Sequence, residues 1–333
     1  MAKVLLLSLS EEDPRDNSYR RGAYLRLKQS AELGKSHHRL VDDPAEADII
    51  LFAETHFMFA FRQRRHPYYR AFRDKCFGFA VNDHVLPFLP GVYPSIEKDW
   101  FSPGRVRSGF YLSILENPYT SFDPEPIERD FLYCFVGSTS TAPIRVRLGK
   151  LQHPRGVFID TAQVSQFMLH EGTPEQRTVF WKDYADKARR SQFVLCPRGE
   201  GTSSVRLFET MEMGRAPVIL ADKWVPPEGP CWEQFSLRIP EREVMNLPRI
   251  LEEREKEAVA MGLKAREEWE RWFSPEARFN TVVDWCLQIK ADRRLPEYLA
   301  CLGVYPQILR WPFRRAYLRR WRSFFLPKQP PQS

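Results

Sequence analysis

The stretch FVLCPRGEGTSSVRLFETMEMGRAPVILAD, residues 193–222, constrains the fold of this chain more than any other segment. Two apolar runs of strand length enclose a Gly/Ser/Arg loop and one helical stretch that Gly214 stops. A strand, a helix and a second strand in so short a span make a βαβ unit, and hence a parallel sheet. In open α/β sheets ligands bind beyond the carboxyl ends of the strands. Residues 197–204 lie there and lead into a helix N-terminus, whose free N–H groups and partial positive charge favour an anion. Gly199 and Gly201 let backbone amides approach a ligand, and Ser203 or Ser204 can cap the helix or contact a phosphate. Arg198 in the loop and Arg206 in the first turn can face a diphosphate. Glu209, three residues on from Arg206, can accept hydrogen bonds from ribose hydroxyls. The same spacing also describes an ordinary i,i+3 ion pair beside two turn glycines, and the residues alone leave the two readings level.

The remaining sequence repeats this rhythm. Apolar runs at 4–9, 47–53 and 76–81 predict strands separated by helical or turn stretches at 18–34 and 62–75. The acidic segment 116–129 carries three prolines and reads as a domain boundary. A second alternation follows. FLYCFVGS, GVFID, FVLC and APVILA are strands, RVRLGKL is helical, and Thr173-Pro174-Glu175-Gln176 carries helix-start signals for a helix to about Arg190. FSLRI and a charged helical stretch over 248–273 close the unit. The expected division is a first α/β domain over 1–116, a linker over 117–129, a second over 130–290, and a helix and basic aromatic tail over 291–333.

Composition removes several function classes. The opening MAKVLLLSLSEEDPRD has a short apolar run, no small-residue cleavage site and immediate acids, so it reads as a strand and not a signal peptide. No run of eighteen apolar residues suggests a membrane-spanning helix. The 6 cysteines form no C-x-x-C pair, which fits reduced cysteine in a cytoplasmic protein. The net charge of +7 resides entirely after residue 300, where seven basic residues and no acid occur; the neutral body argues against nucleic-acid binding. GKS at 34–36 lacks the upstream glycine of a P-loop, and neither G-x-S-x-G nor H-E-x-x-H occurs. The 7 histidines show no metal-ligand spacing, and adjacent His37 and His38 are expected to point apart. The aromatic runs HFMFAF and HPYYRAF are assigned to the core.

FVLCPRG, then SVRLFE at 204–209, then APVIL after a glycine resembles the signature segment of exostosin-type glycosyltransferases, family 47. KARRSQF, RDFLYCFVGS and FSLRIPEREV are similar in the same order, so the resemblance covers roughly 129–255. It implies a GT-B-like α/β fold: two Rossmann-like parallel-sheet domains facing a cleft, the first on the acceptor side and the second binding a nucleotide sugar. It also implies an inverting transfer needing no bound metal and no cofactor beyond the donor substrate. On this resemblance Arg206 and Glu209 hold the donor's diphosphate and ribose, and Arg198, Gly199 and Ser204 line the same loop. Gly137 gives the donor room, and Arg145, in competition with Arg147, supplies a further cation. No D-x-D motif occurs, which disfavours the metal-dependent GT-A class. Eukaryotic members usually carry an N-terminal anchor; its absence from this sequence points away from a Golgi location and heparan-type acceptors.

Inversion needs a base for the acceptor's proton, supplied across the cleft by the first domain. Asp83, just after the strand 76–81, matches the family's aspartate; Glu54, His56 and His84 hold the same type of position. In the tail LRWPFRRAYLRRWRSFFLPK, Phe313, Tyr317, Trp321 and Phe324 or Phe325 recur near helical spacing among arginines. This pattern suits a helix lying in an anionic membrane surface. Its competing reading is a last helix packed on the first domain. The expectation is a cytoplasmic enzyme, peripheral on the inner membrane surface, moving a sugar from a UDP-linked donor to a glycan or lipid-linked oligosaccharide. Two rivals are a non-catalytic glycan-binding or partner-stabilising subunit and a GDP-sugar enzyme of the fucosyltransferase kind.

Overall fold

The computed structural model describes residues 1–9, 22–33, 35–54, 62–112, 116–125, 127–164 and 172–309. The aromatic run at 56–61, the candidate base His56 and the tail from residue 310 lie outside them.

The first domain is one parallel sheet of order β2-β1-β3-β4-β5-β6. Its strands are β1 (Lys3–Leu7), β2 (Arg39–Leu40), β3 (Ile49–Glu54), β4 (Cys76–Ala80), β5 (Gly91–Tyr93) and β6 (Val106–Ser108). β3 is buried at every position and β4 at all but its last, as continuous apolar runs are when helices cover both faces of a sheet. α1 (Gly22–Glu32) crosses from β1.

The second domain is a parallel sheet of order β11-β10-β9-β7-β8. Its strands are β7 (Phe131–Gly137), β8 (Gly156–Asp160), β9 (Ser191–Pro197), β10 (Ala216–Leu220) and β11 (Leu237–Arg238). Crossing between them are α2 (Pro143–Leu148), α3 (Pro174–Arg189) and α4 (Val205–Glu212). α3 begins at the predicted capping box: Thr173 Oγ1 accepts from Gln176 N–H, and the Gln176 side chain accepts from Thr173 N–H. α4 ends at Gly214, whose φ of 65° is open to glycine at little cost. α5 (Leu247–Arg254), α6 (Ala258–Trp272) and α7 (Arg278–Asp292) complete the described helical layer, apart from short turns.

The sheets face one another across a cleft in a GT-B-like arrangement. One apolar cluster runs through both domains, from Leu51, Phe77 and Phe79 to Val194, Leu207 and Met211. Most of α7 falls within 130–290, grouped above as one domain, yet it packs on the first. Its Phe279 N–H donates to Ser30 Oγ at 3.0 Å, and Asn280 Oδ1 accepts from Ser36 Oγ at 2.9 Å. His37 and His38 do not point apart. Both reach the Asp284 carboxylate on α7, at 3.4 and 3.0 Å. A helix added after the second domain has joined the histidines, which no local pattern could indicate.

Candidate active site

The carboxyl ends of β7 and β9 and the start of α4 border an interdomain cavity of ≈ 670 Å³. Loop 198–204 forms its second-domain wall. Ser204 takes the N-cap backbone position of α4 but makes no side-chain capping bond. The Ser203 and Ser204 hydroxyls are buried and have no hydrogen-bond partner among the described residues. Buried hydroxyls are almost always paired, since leaving one unpaired costs about 1–3 kcal/mol. Here both lie at the start of a helix whose Leu207 N–H already donates to the Ser204 carbonyl at 3.2 Å, so an anion would satisfy the two hydroxyls together with the Val205 and Arg206 amides ahead of it.

Three candidate arginines are disposed differently. Arg145 lines the cavity, with Nε donating to the Arg198 carbonyl at 2.9 Å and the two terminal nitrogens donating to Ser138 and Pro197 carbonyls at 3.1 and 3.2 Å. These bonds clamp the ends of β7 and β9 together. No carboxylate pairs with Arg145 among the described residues, and burial, then the neighbouring Arg206, pushes its pKa down to about 10. It remains a cation at neutral pH.

Arg206 also lines the cavity. It donates to Glu209 Oε2 at 2.5 Å and to the Val136 carbonyl at 3.2 Å, and its guanidinium lies over the Tyr184 ring at 4.1 Å. Burial opposes the charge, but Glu209 and Tyr184 together outweigh it and raise the pKa. The ordinary ion-pair reading of this spacing is therefore realised inside the cavity, and Glu209 lines it as well.

Arg198 does not join them. Its guanidinium turns to Glu241, with Nε to Oε1 at 2.7 Å, and only its backbone carbonyl serves the site. Arg147 donates to the Glu241 carbonyl at 2.9 Å, so Arg145, not Arg147, is the cation at the cavity. Gly137 and Gly199 line the wall beside Arg145.

The first domain supplies the opposite wall. A Cβ on Gly201 would stand 2.3 Å from Ser95 Oγ and 2.9 Å from Asp83 Cα, so the loops meet with no room for a methyl group. Asp83 is exposed to the cavity, and Tyr111 Oη donates to its Oδ1 at 2.7 Å. Tyr111 has spent its only proton there, so Ser95 Oγ donates to Tyr111 at 2.7 Å. Ser203 N–H, 3.5 Å from Ser95 Oγ, completes a relay of hydrogen bonds across the cleft. Burial, then Asp83, pushes Tyr111 well above its ordinary pKa, keeping it a donor.

The rival first-domain groups stand elsewhere. Glu54 is buried and accepts from Leu9 N–H at 2.5 Å, holding the end of β1. His84 Nε2 lies 3.4 Å from Glu200 across the cleft. The sequence reading missed the far end of the cavity, lined by Arg26, Glu116, Tyr184, Glu212 and Arg278. Glu212 accepts from Thr120 Oγ1 at 2.8 Å, and burial raises its pKa. α1, α3, α4, α7 and the residue just before the linker bring them together, and no motif links them.

Among the described residues, His37, His38 and Asp284 are the one group that brings three metal-ligand atoms together. None of the three lines the cavity. His38 Nδ1 accepts from Ala2 N–H at 3.0 Å, which places the neutral ring's proton on Nε2, toward Asp284. The contact is thus a hydrogen bond between domain elements.

Residues 98–254, which hold loop 198–204 and α4, match the Exostosin GT47 domain. The match covers just under half of the chain. It is 29% identical over 129 residues to a probable glycosyltransferase of Arabidopsis thaliana, covering 38% of this chain and 24% of that protein. It is 31% identical over 119 residues to Exostosin-1 of Drosophila melanogaster, covering 35% and 15%. The matches thus span a quarter or less of these relatives' own length. Anabaena HepE, solved in complex with UDP, is similar at a TM-score of 0.37 and 11% identity, covering 87% of this chain and 99% of that one. That likeness is too loose to argue from. The GT47 match includes Gly137, Arg145, Arg198, Gly199, Ser204, Arg206 and Glu209 and leaves out Asp83 and Arg278.

Proposed function

We propose that the chain is an inverting, metal-independent glycosyltransferase that moves a sugar from a UDP-linked donor to a hydroxyl of a glycan or lipid-linked oligosaccharide. The observation that carries this reading is the pair of buried, unpaired hydroxyls at the open N-terminus of α4, beside the uncompensated cation Arg145. Ser203, Ser204, the first amides of α4 and Arg145 hold the diphosphate. Arg206 adds positive charge, and its pairing with Glu209 holds that carboxylate for the ribose hydroxyls. Gly137 and Gly199 leave the donor room.

In the transfer, the acceptor oxygen attacks the sugar's anomeric carbon opposite the bond to UDP. The new glycosidic bond forms as the carbon–oxygen bond to UDP breaks. The acceptor's proton passes to Asp83, oriented by Tyr111, and UDP leaves with its new negative charge facing Arg145 and the helix N-terminus. A single displacement of this kind inverts the anomeric centre. Because protein groups supply the positive charge, the step requires no divalent ion. The contact at Gly201 closes the cleft over the reactants and keeps water from the donor.

The test is UDP release from a panel of UDP-sugars with a chelator present, followed by the anomeric configuration of the product by NMR. Chelator-resistant release and an inverted product support the reading. A requirement for divalent metal, a retained anomer, or release from GDP-sugars alone would contradict it.

A further inference from the structure

Beyond Glu209 the cavity continues as a slot between α3 and α4. Arg206, Glu209 and Glu212 recur every three positions on α4, so they form one stripe, and all three line the cavity. At 1.5 Å per residue, Glu212 stands about 12 Å along the helix from Ser204. The facing wall is α3, where Trp181 and Tyr184 share a face and also line the cavity. Arg206 joins the two helices, its guanidinium lying over the Tyr184 ring. The turn at 117–120 is pinned to both: Asn117 Nδ2 donates to the Trp181 carbonyl at 3.2 Å, and Thr120 Oγ1 lies 2.8 Å from Glu212 Oε2.

The slot holds polar groups that the protein leaves to a ligand. Tyr184 Oη is buried with no hydrogen-bond partner among the described residues, although such groups are almost always paired. Thr120 holds Glu212 Oε2 and leaves Oε1 to accept one further proton. The cations at this end, Arg26 and Arg278, are bound to Glu116 at 3.3 and 3.0 Å, so a flat, uncharged group suits the slot better than a second phosphate. A donor with its diphosphate at the start of α4 and its ribose at Glu209 carries its base alongside Glu212. We propose that the slot between Trp181, Tyr184 and Glu212 takes this base and selects uracil. The base stacks on Trp181. Uracil presents one N–H between two carbonyls: the N–H donates to Glu212 Oε1, and Tyr184 Oη donates to a carbonyl. Guanine presents two adjacent donors beside one carbonyl. With Thr120 on Oε2, its amino group would be buried unpaired, which is costly. The inference rests on the donor-site reading and refines it.

The test is calorimetric titration of UDP, GDP and inorganic pyrophosphate, with a chelator present, into wild type, Tyr184→Phe and Trp181→Ala. Tyr184→Phe removes only a hydroxyl that has no described partner, so its melting temperature should not fall. Wild type is expected to bind UDP about tenfold or more tightly than GDP. UDP should bind Tyr184→Phe about three- to tenfold more weakly, and Trp181→Ala about tenfold or more weakly. Pyrophosphate has no base and should bind all three proteins alike. Wild-type affinity for UDP in both variants would overturn the base slot and leave the phosphate site standing. Equal losses of UDP and pyrophosphate would overturn it too, by placing the damage at the phosphate end. GDP binding as tight as UDP binding would overturn the selection of uracil. Failure of wild type to bind either UDP or pyrophosphate would remove the donor-site reading along with the slot.

Discussion

Arg145 and Arg206 meet the cavity on different terms, and the difference predicts different mutational outcomes. Arg206 is tied to Glu209 and stacked on Tyr184, so Glu209→Ala would strand a half-buried cation. Stability should fall by about 1–3 kcal/mol along with nucleotide affinity. Glu209→Gln keeps an acceptor for Arg206, and calorimetry should find it weaker for nucleotide with a smaller stability loss in urea. Unchanged affinity in both would remove Glu209 from the site. Across the cleft, Asp83→Asn should leave donor affinity intact while lowering turnover by about 10²–10⁴-fold. Tyr111→Phe, which removes the hydrogen bond that orients Asp83, should lower turnover less and alter its pH profile. A normal rate for Asp83→Asn would move the base elsewhere. At this scale the sequence is legible where a side chain's partner is local: Arg206 and Glu209 are three positions apart and meet as the spacing predicts. Arg198 was not legible, because Glu241, 43 residues on, decides which way its guanidinium turns. Tyr111 and Ser95 carry no motif at all and become relevant only through the fold.

Loop 198–204 and α4 depend on two glycines for different reasons. Gly214 reverses the chain after α4 at positive φ, and an added Cβ would also stand 2.6 Å from the Phe122 ring. Gly214→Ala should therefore cost about 1–2 kcal/mol or more, measurable as a lower urea midpoint with an unchanged m-value. Gly201 has no such backbone strain, and its constraint is the first domain's loop. Gly201→Ala should hold the cleft apart, lowering turnover far more than it lowers the melting temperature. Equal losses of both would indicate a general packing defect instead. Elements with long apolar runs, such as β3, β7 and β9, are evident in the sequence because a buried parallel strand is nearly continuous in apolar residues. β5 and β6 are not, for each has only three residues and shows no period. Similarly, the sequence reading ends its helical stretch at 273 and names no helix at α7, and nothing local says which sheet that segment covers.

For the whole molecule, the shared apolar cluster and α7 tie the domains at one end and leave them to meet at the other through loop 198–204. The tie has a pH dependence. Burial holds His38 below its ordinary 6.5 despite the Asp284 hydrogen bond that favours its charge. As pH falls through about 6.5 the unfolded chain therefore takes up the proton first, so this contribution is complete above that value and is lost below it. His38→Asn retains an acceptor for Ala2 N–H, and its melting temperature should vary less between about pH 7 and pH 5 than that of wild type. An identical pH profile would show that His38 does not govern the tie. The catalytic reading likewise belongs to the whole chain, since donor groups and base come from opposite domains. Its central claim is that the unpaired hydroxyls of Ser203 and Ser204 await a diphosphate. The most direct measurement is calorimetric binding of UDP and GDP, with a chelator present, to wild type and to Ser203→Ala/Ser204→Ala. The variant should be at least as stable as wild type, because it removes two buried groups that have no partner, yet bind UDP about tenfold or more weakly. Equal UDP affinity in the two proteins, or no metal-free binding of UDP to wild type, would contradict the account.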